Sequence, residues 1–184
     1  MKKAVVFIAT GFEEIEAIGT IDVLRRGGID VTISSITGPK TITGAHGISM
    51  KSDVLFNEMD YNDFDAFILP GGMPGTKNLD AHQALKAILT AQYEKRGKIA
   101  AICAAPSILG KMGFLNGKEA ICYPGFEEAL SGAVISKSLV VKSDNIITAK
   151  GAGVAVEFAL KIVEELKGKS ASEKIASAIC KFAK

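Results

Sequence analysis

The sequence predicts an α/β protein in which parallel strands are joined by crossover helices. Short apolar or β-branched runs alternate along the chain with longer segments of helical spacing, which is the pattern of such a layered fold. The length of 184 residues, 48% of them apolar, suffices for one buried core. No internal repeat or linker-like boundary interrupts the pattern, so we expect residues 1–184 to form a single domain.

The strands are predicted at the short apolar runs. The first run follows Lys2 and Lys3 as in a signal peptide, but it is short, and Glu13 and Glu14 follow it without a cleavage pattern. We therefore interpret it as a buried strand. The predicted strands lie at Lys3–Ala9, Asp30–Ile36, Phe64–Leu69, Lys98–Ile102, near Ala120, near Leu139 and at Ile146–Ala149.

The helices are predicted in the longer segments between these strands. Gly27 and Gly28 end the first helix, as glycines commonly do. The segment 38–57 carries the turn signals Gly38-Pro39 and Gly44–Gly47, which predict a short hairpin or an edge excursion. The predicted helices are Glu13–Arg26, Leu79–Lys95, Ala104–Met112, Val154–Lys167 and Ser172–Phe182.

The composition excludes several functional classes. The 22 basic and 20 acidic residues are interspersed and leave a net charge of +2, so no nucleic-acid partner is predicted. No run approaches the roughly 18 to 20 apolar residues of a membrane helix. We therefore expect a cytoplasmic protein without membrane association. The three cysteines show no CxxC spacing, which indicates reduced thiols and no disulfide framework.

The sequence predicts neither a metal nor a cofactor. His46 and His82 are the only two histidines, which is too few for a typical metal centre. The turn Gly151–Gly153 opens a helix as in a dinucleotide site, but Val156 occupies the position of the third glycine. No phosphate-binding loop of the GxxxxGK[ST] type occurs either.

Cys103 is the first candidate catalytic residue. Ligands of an open α/β sheet bind outside the carboxyl ends of the strands, and Cys103 directly follows the strand Lys98–Ile102. It also precedes a predicted helix, a placement similar to that of a nucleophile elbow. The helix dipole should favour the thiolate and lower the pKa of the thiol. The alternative is an inert cysteine buried at a strand end.

Backbone N–H groups near Cys103 are candidates for an oxyanion site. Gly71 and Gly72 follow the strand Phe64–Leu69 and allow a sharp turn that presents N–H groups. Together with the N–H of Ala104 they can hold a developing oxyanion. The alternative is an ordinary tight turn, because two glycines after a strand are a weak signal.

Glu16 is the candidate acid or base. Glu13 and Glu14 lie in the first turn of a helix, where the dipole favours carboxylates without any catalytic role. Glu16 differs because its neighbours at helical spacing form a small and apolar face: Gly19, Thr20 and Val23. A desolvated carboxyl on that face would have a raised pKa suited to proton transfer.

The other histidines and cysteines have simpler interpretations. His82 is expected on the solvated start of a helix. His46 lies in the turn-rich segment and is either a surface loop residue or one that reaches a neighbouring subunit's site. Cys122 and Cys180 are expected in the core, with Cys122 also a possible disulfide partner during oxidation.

Five sequence blocks occur in a characteristic order: GFEEIEA, IDVLRRGGIDV, LPGGMPGTKNL, AAICAAPSIL and KGAGVAVEFALKIVEEL. Together they resemble the ThiJ/PfpI superfamily, which is class I glutamine amidotransferase-like, and within it the parkinsonism-associated protein deglycase subgroup. The resemblance spans nearly the whole chain. It implies a flavodoxin-like three-layer sandwich, with a mostly parallel central sheet and helices on both faces, and a homodimer.

The resemblance also implies roles for individual residues. Cys103 matches the reactive cysteine, and Glu16 matches the carboxyl that hydrogen-bonds it. Gly72 and Ala104 match the positions whose N–H groups line the oxyanion pocket. Tyr123 stands where relatives often carry a histidine, which weakens a protease or amidotransferase interpretation more than a deglycase or glyoxalase one.

The function implied is that of a cofactor-free, cysteine-dependent glyoxalase or protein deglycase, a lyase or hydrolase that protects against carbonyl and oxidative stress. Its substrate would be a small dicarbonyl, a 2-oxoaldehyde, or a glycated adduct of one. Cys103 would attack the aldehyde, Glu16 would move protons, and Gly72 and Ala104 would hold the oxyanion. The alternative is a redox-sensing or chaperone-like dimer whose Cys103 is oxidised without substrate turnover.

Overall fold

The computed structural model describes residues 1–181. Its strands are β1 (Lys3–Ile8), β2 (Asp30–Ser35), β3 (Thr41–Thr43), β4 (Ser49–Lys51), β5 (Val54–Leu55), β6 (Ala66–Leu69), β7 (Lys98–Ile102), β8 (Glu119–Ala120), β9 (Val134–Ile135), β10 (Val140–Ser143) and β11 (Ile146–Ala149). Its α-helices are α1 (Glu14–Arg26), α2 (Gly75–Ala81), α3 (Gln83–Glu94), α4 (Pro106–Lys111), α5 (Ala155–Lys167) and α6 (Lys169–Ala178).

Seven strands form the central sheet in the order β10-β11-β7-β6-β1-β2-β5. Every neighbouring pair is parallel except β10 with β11, which is antiparallel. The strands β3 and β4 form a separate antiparallel hairpin, and β8 pairs with β9. The predicted α/β class with a mostly parallel sheet is confirmed.

Helices cover both faces of the sheet, because the side chains of each strand alternate between two apolar cores. On β1, Val6 and Ile8 lie in the core formed with α1, α5 and α6. Val5 and Phe7 lie in the opposite core, with α2, α3 and α4. Burial of each large side chain contributes roughly 1.5–3 kcal/mol. The three-layer sandwich implied by the resemblance is therefore the observed architecture.

The structure differs from the predicted elements mainly at their ends. The predicted helix Leu79–Lys95 is two helices, because His82 has ψ 98 and accepts the N–H of Leu85 at its ring Nδ1 (3.0 Å) as the cap of α3. Segment 38–57 contains both the predicted hairpin and the edge strand β5. Phe182, in the last predicted helix, lies outside the described residues. Within the described residues, none of the helices has the length and apolar character needed to traverse a bilayer.

Candidate active site

The candidate active site lies at the carboxyl ends of β1, β6 and β7. These strands are adjacent and parallel, with Val6 beside Ile68 and Leu69 beside Ala101. The turns that follow them therefore meet at one edge of the sheet. Cys103 follows β7, the Gly71-Gly72 turn follows β6, and α1 begins shortly after β1.

Cys103 sits on a sharp backbone turn. Its φ is +64°, in the left-handed region that L-residues seldom adopt. Two hydrogen bonds hold this turn: the Cys103 N–H donates to the carbonyl of Ala149 (2.9 Å), and the N–H of Tyr123 donates to the Cys103 carbonyl (2.7 Å). Helix α4 begins three residues later, at Pro106 rather than at the predicted Ala104. The turn leaves the thiol half-buried at the sheet edge.

Glu16 lies in the first turn of α1 and is only 1% exposed. The backbone N–H of Gly71 donates to its Oε2 (2.7 Å). The other oxygen, Oε1, is buried without a hydrogen-bond partner, and the carboxyl lies close enough to the Cys103 thiol for each group to affect the pKa of the other. Burial is the main cause that raises the pKa of Glu16 to about 7, and the negative charge of Glu13 adds to it.

The two glycines after β6 are required by close contacts. A Cβ on Gly71 would lie 2.7 Å from the Cβ of Cys103 and 2.8 Å from Oε2 of Glu16. Gly72 has φ +91°, and a Cβ there would lie 2.4 Å from the backbone nitrogen of Glu13. The turn therefore packs its bare backbone against the thiol and the carboxyl.

Two backbone N–H groups face the sulfur. The N–H groups of Gly72 and Ala104 lie close enough to the Cys103 sulfur to favour its ionisation. The structure thus brings together the four predicted site residues, Glu16, Gly72, Cys103 and Ala104. The N–H of Gly71, which the sequence also suggested for an oxyanion, binds the carboxyl of Glu16 instead.

The predicted low pKa of the thiol is wrong for the protein without substrate. Burial, followed by the charge of Glu16 and the hydrogen bond to it, raises the pKa of Cys103 to about 12. The two N–H groups act in the opposite direction and are outweighed. A negative charge on one group disfavours a second negative charge on the other, so the carboxyl and the thiol share one proton after the first ionisation. The sulfur is nucleophilic when that proton lies on Glu16.

Glu14 has a structural role that the sequence did not indicate, since its position was explained there only by the helix dipole. It is 4% exposed. Its carboxylate accepts hydrogen bonds from the backbone N–H of His46 (2.7 Å), from the ring Nδ1 of His46 (2.8 Å) and from the backbone N–H of Ile48 (3.3 Å). These bonds fasten the hairpin loop to α1. His46 itself is exposed, as expected of a surface loop residue.

Within residues 1–181, one group of side chains has the spacing of metal ligands: Glu13, Glu14 and His46, whose ligand atoms lie within 4.8 Å of one another. Hydrogen bonding already explains this cluster. The Glu14 carboxylate accepts three bonds from the hairpin loop, and Glu13 Oε2 accepts the N–H of Glu16 (2.7 Å) as the cap of α1.

Two expectations for other side chains are wrong. Cys180 is exposed rather than in the core, because α6 has ended before it. His82 is half-buried rather than solvated, because its ring packs against Phe56 at 4.6 Å while capping α3. Cys122 is buried as expected, and burial raises the pKa of its thiol to about 11. Its role as a disulfide partner stays a prediction.

Comparison with known proteins places this arrangement in a family. The DJ-1/PfpI family matches residues 2–165. The chain is 37% identical over 180 residues to the protein dj-1beta of Drosophila melanogaster, covering 97% of this chain and 96% of that protein. It is 36% identical over 169 residues to the glutathione-independent glyoxalase DJR-1.2 of Caenorhabditis elegans, covering 91% and 90%.

Solved structures agree with the sequence relatives. The oxidized DJ-1 of Toxoplasma gondii superposes with a TM-score of 0.94 at 35% identity and 98% coverage of both chains. The C103A mutant of a DJ-1 superfamily protein from Salmonella typhimurium superposes with a TM-score of 0.94 at 34% identity, with both chains fully covered. On its sequence, its sheet order and these matches, the chain belongs to the DJ-1/PfpI family.

Proposed function

We propose that the protein is a cofactor-free glyoxalase or deglycase that converts 2-oxoaldehydes, free or as adducts on thiols and amines, to 2-hydroxy acids. The observation that supports this most is the buried contact between Glu16 and Cys103. It joins a carboxyl of pKa about 7 to a nucleophilic atom. General acid–base catalysis is most efficient when the pKa of the group lies near the working pH.

The first chemical step forms a hemithioacetal. The thiol proton of Cys103 passes to Glu16, and the sulfur bonds to the aldehyde carbon. The electron pair of the carbonyl moves onto its oxygen, where the N–H groups of Gly72 and Ala104 stabilise the charge before Glu16 gives its proton to that oxygen. The Gly71 N–H keeps the Glu16 carboxyl in position meanwhile.

The remaining steps need only proton transfers and water. Glu16 removes the proton from the former aldehyde carbon, and a proton returns to the neighbouring carbon. The first carbon is thereby oxidised to a thioester and the second reduced to an alcohol, so no external oxidant is required. Water cleaves the thioester, releases the 2-hydroxy acid and restores the thiol. With an adduct, the carrier thiol or amine leaves as Cys103 takes its place.

We propose a homodimer and a cytoplasmic site of action. Ile15 and Ile18 on α1 are 60% and 42% exposed, and Ile48 on the hairpin loop is 55% exposed. The bond from the Ile48 N–H to Glu14 places this loop beside α1, and we propose that the three isoleucines act together as one apolar patch. Such a patch suits contact with a second copy of the chain. A working thiol also needs a reducing compartment.

A redox sensor is the second candidate function. Its support is the half-buried thiol of Cys103 and the structural similarity to a DJ-1 solved in an oxidized form. A sensor is modified once and changes its contacts, whereas an enzyme converts many equivalents of aldehyde. Turnover therefore separates the two functions.

The experiment is the formation of lactate from methylglyoxal by metal-free protein without glutathione. We expect multiple turnovers, an activity loss of about 10³-fold or more in Cys103→Ser, and a loss of about 10²- to 10⁴-fold in Glu16→Gln. Cys180→Ser is the matched control, because Cys180 is exposed and remote in sequence from the turns of the site. It should keep full activity.

All variants are purified in the same way, so that activity from a contaminating glyoxalase would persist in Cys103→Ser and be detected there. Absence of turnover, together with stoichiometric oxidation of Cys103 by peroxide, would contradict the enzyme and support the sensor.

A further inference from the structure

A groove that the proposed chemistry does not use lies beside the backbone of Cys103. We call it the Tyr123 groove; it is lined by Tyr123, Pro124, Leu139 and residues 150–154 and has a volume of about 350 Å³. Its walls are mostly apolar. This volume lies within the range of roughly 300–1,000 Å³ that holds substantial organic ligands.

The position of the groove follows from the bonds that hold Cys103. Ala149 is the register partner of Ile102, so the next residues, Lys150 and Gly151, continue beside Cys103. On the other side, the N–H of Tyr123 donates to the Cys103 carbonyl. The two chain segments that line the groove are therefore the same two that fasten the backbone of the cysteine.

The groove exposes apolar surface that a folded chain normally covers. The side chains of Tyr123 and Leu139 are 51% and 50% exposed. The wall is nevertheless ordered by packing and hydrogen bonds: a Cβ on Gly151 would contact the Tyr123 ring at 3.3 Å, and the N–H of Lys150 donates to the Leu139 carbonyl (2.9 Å). An apolar concavity beside the turn that carries the nucleophile is suited to bind an apolar part of the substrate.

A three-carbon dicarbonyl would leave this groove filled with water. Its reactive carbons would lie at the sulfur and the two N–H groups, and its single methyl group is too small to fill a volume of about 350 Å³. A phenyl or branched alkyl substituent on the ketone carbon would instead displace that water and cover the ring of Tyr123.

Resting on the proposed function, we infer that the Tyr123 groove binds the substituent of the 2-oxoaldehyde, and that the protein prefers aromatic or branched-chain 2-oxoaldehydes over methylglyoxal. Lys150 is the one charged residue among those that line the groove, and the others include the apolar side chains of Tyr123, Leu139 and Val154. Selectivity comes from the transition state, because burial of the substituent continues through every covalent step.

The experiment compares kcat/KM for phenylglyoxal, followed as mandelate, with kcat/KM for methylglyoxal, followed as lactate. We expect the ratio to favour phenylglyoxal by about tenfold or more, the size of effect that burial of a few carbons gives. Ala152→Leu, which fills the groove, should lower that ratio at least about fivefold. Val134→Ala is the control, since Val134 is an exposed apolar residue outside the groove, and it should leave the ratio unchanged.

A ratio at or below one, or a ratio that Ala152→Leu does not lower, would overturn the inference while turnover of methylglyoxal still upheld the proposed function. If neither aldehyde is turned over, the proposed function fails and the groove is tested by alkylation instead. Rates of Cys103 with N-phenylmaleimide and N-methylmaleimide, each divided by the rate with N-acetylcysteine, should then favour the phenyl reagent and lose that preference in Ala152→Leu. Equal rates would overturn the inference in that case too.

Discussion

Gly71 and Glu16 are 55 positions apart in the chain and are joined by a 2.7 Å hydrogen bond from a backbone N–H to a buried carboxyl oxygen. This bond connects the turn after β6 to the first turn of α1. The same turn contacts the Cβ of Cys103 so closely that no side chain fits at Gly71. The positions of the carboxyl and the thiol are therefore set by one stretch of bare backbone.

Substitution of Gly71 tests this contact. Gly71→Ala places a methyl group within 2.8 Å of Glu16 Oε2, so we expect destabilisation of about 1–3 kcal/mol and a large loss of activity. Gly19→Ala is the control, because Gly19 lies within α1 and a Cβ there meets nothing within 4 Å. It should instead stabilise the protein by roughly 0.5–1 kcal/mol. Urea denaturation measures both, and equal effects of the two variants would contradict the contact.

The raised pKa of Glu16 predicts a pH-dependent cost to stability. The folded state holds this proton more tightly than the unfolded chain, so the stability conferred by Glu16 is greatest below about pH 4.5 and is lost as the pH rises to about 7. Glu16→Gln lacks that loss. Its free energy of unfolding should exceed that of the wild type by up to about 3 kcal/mol at about pH 8 and by much less at about pH 5. A constant difference across this range would argue against the buried ionisation.

The same proton predicts the pH profile of the reaction. Below about pH 7 both Glu16 and Cys103 are protonated, and neither a base nor a thiolate is available. We expect kcat/KM for the aldehyde to rise with pH and to level off above an apparent pKa of about 7. Cys180→Ser should show the same profile. The residual activity of Glu16→Gln should lack this rise, and a profile retained in that variant would assign the titration to another group.

The bond between Glu14 and His46 predicts a shift that NMR can follow. Glu14 raises the pKa of His46 through a 2.8 Å hydrogen bond and through its charge. In Glu14→Gln the pKa of His46, read from its ring proton shifts, should fall toward its ordinary value. Glu13→Gln is the control, because Glu13 lies 3.9 Å from the ring nitrogen, and the fall should be smaller. A pKa that is unchanged in Glu14→Gln would show that the hairpin loop is held by other contacts.

The apolar patch on α1 predicts the effect of charge on assembly. Ile15→Lys places a cation at a side chain that is 60% exposed in the single chain. We expect the wild type to sediment as a dimer and Ile15→Lys to sediment as a folded monomer. Val134→Lys is the control, because Val134 has similar exposure and lies in β9, outside the patch. Dimers that persist in Ile15→Lys would move the interface elsewhere.

The sequence predicted most of the sheet because its strands are continuous apolar runs. The strands Lys98–Ile102 and Ile146–Ala149 have the predicted ends, as both runs are mostly apolar and buried. The break at His82 was missed, because the helical spacing continues through it and only the backbone geometry shows the second cap.

The sequence predicted which residues of the candidate site lie together, but it did not predict the pKa of the thiol. The spacing of strands and turns was enough to bring Cys103 and Glu16 to one edge, and the resemblance specified the N–H groups. The helix dipole suggested an easily ionised thiol, but burial and a neighbouring carboxyl raise the pKa of Cys103 to about 12. That balance depends on three-dimensional packing between α1 and the β6 turn, which no local pattern shows. The Tyr123 groove also went unnoticed, since its walls come from three separate segments.

At Cys103, which has a left-handed backbone, selection for stability and selection for a reactive thiol favour different residues. A non-glycine residue held at φ +64° costs of order 1–3 kcal/mol, and glycine would remove that cost without disturbing the backbone bonds to Ala149 and Tyr123. Selection for stability alone therefore favours glycine at this position. The cysteine is therefore held at this position against a conformational cost that a glycine would not carry.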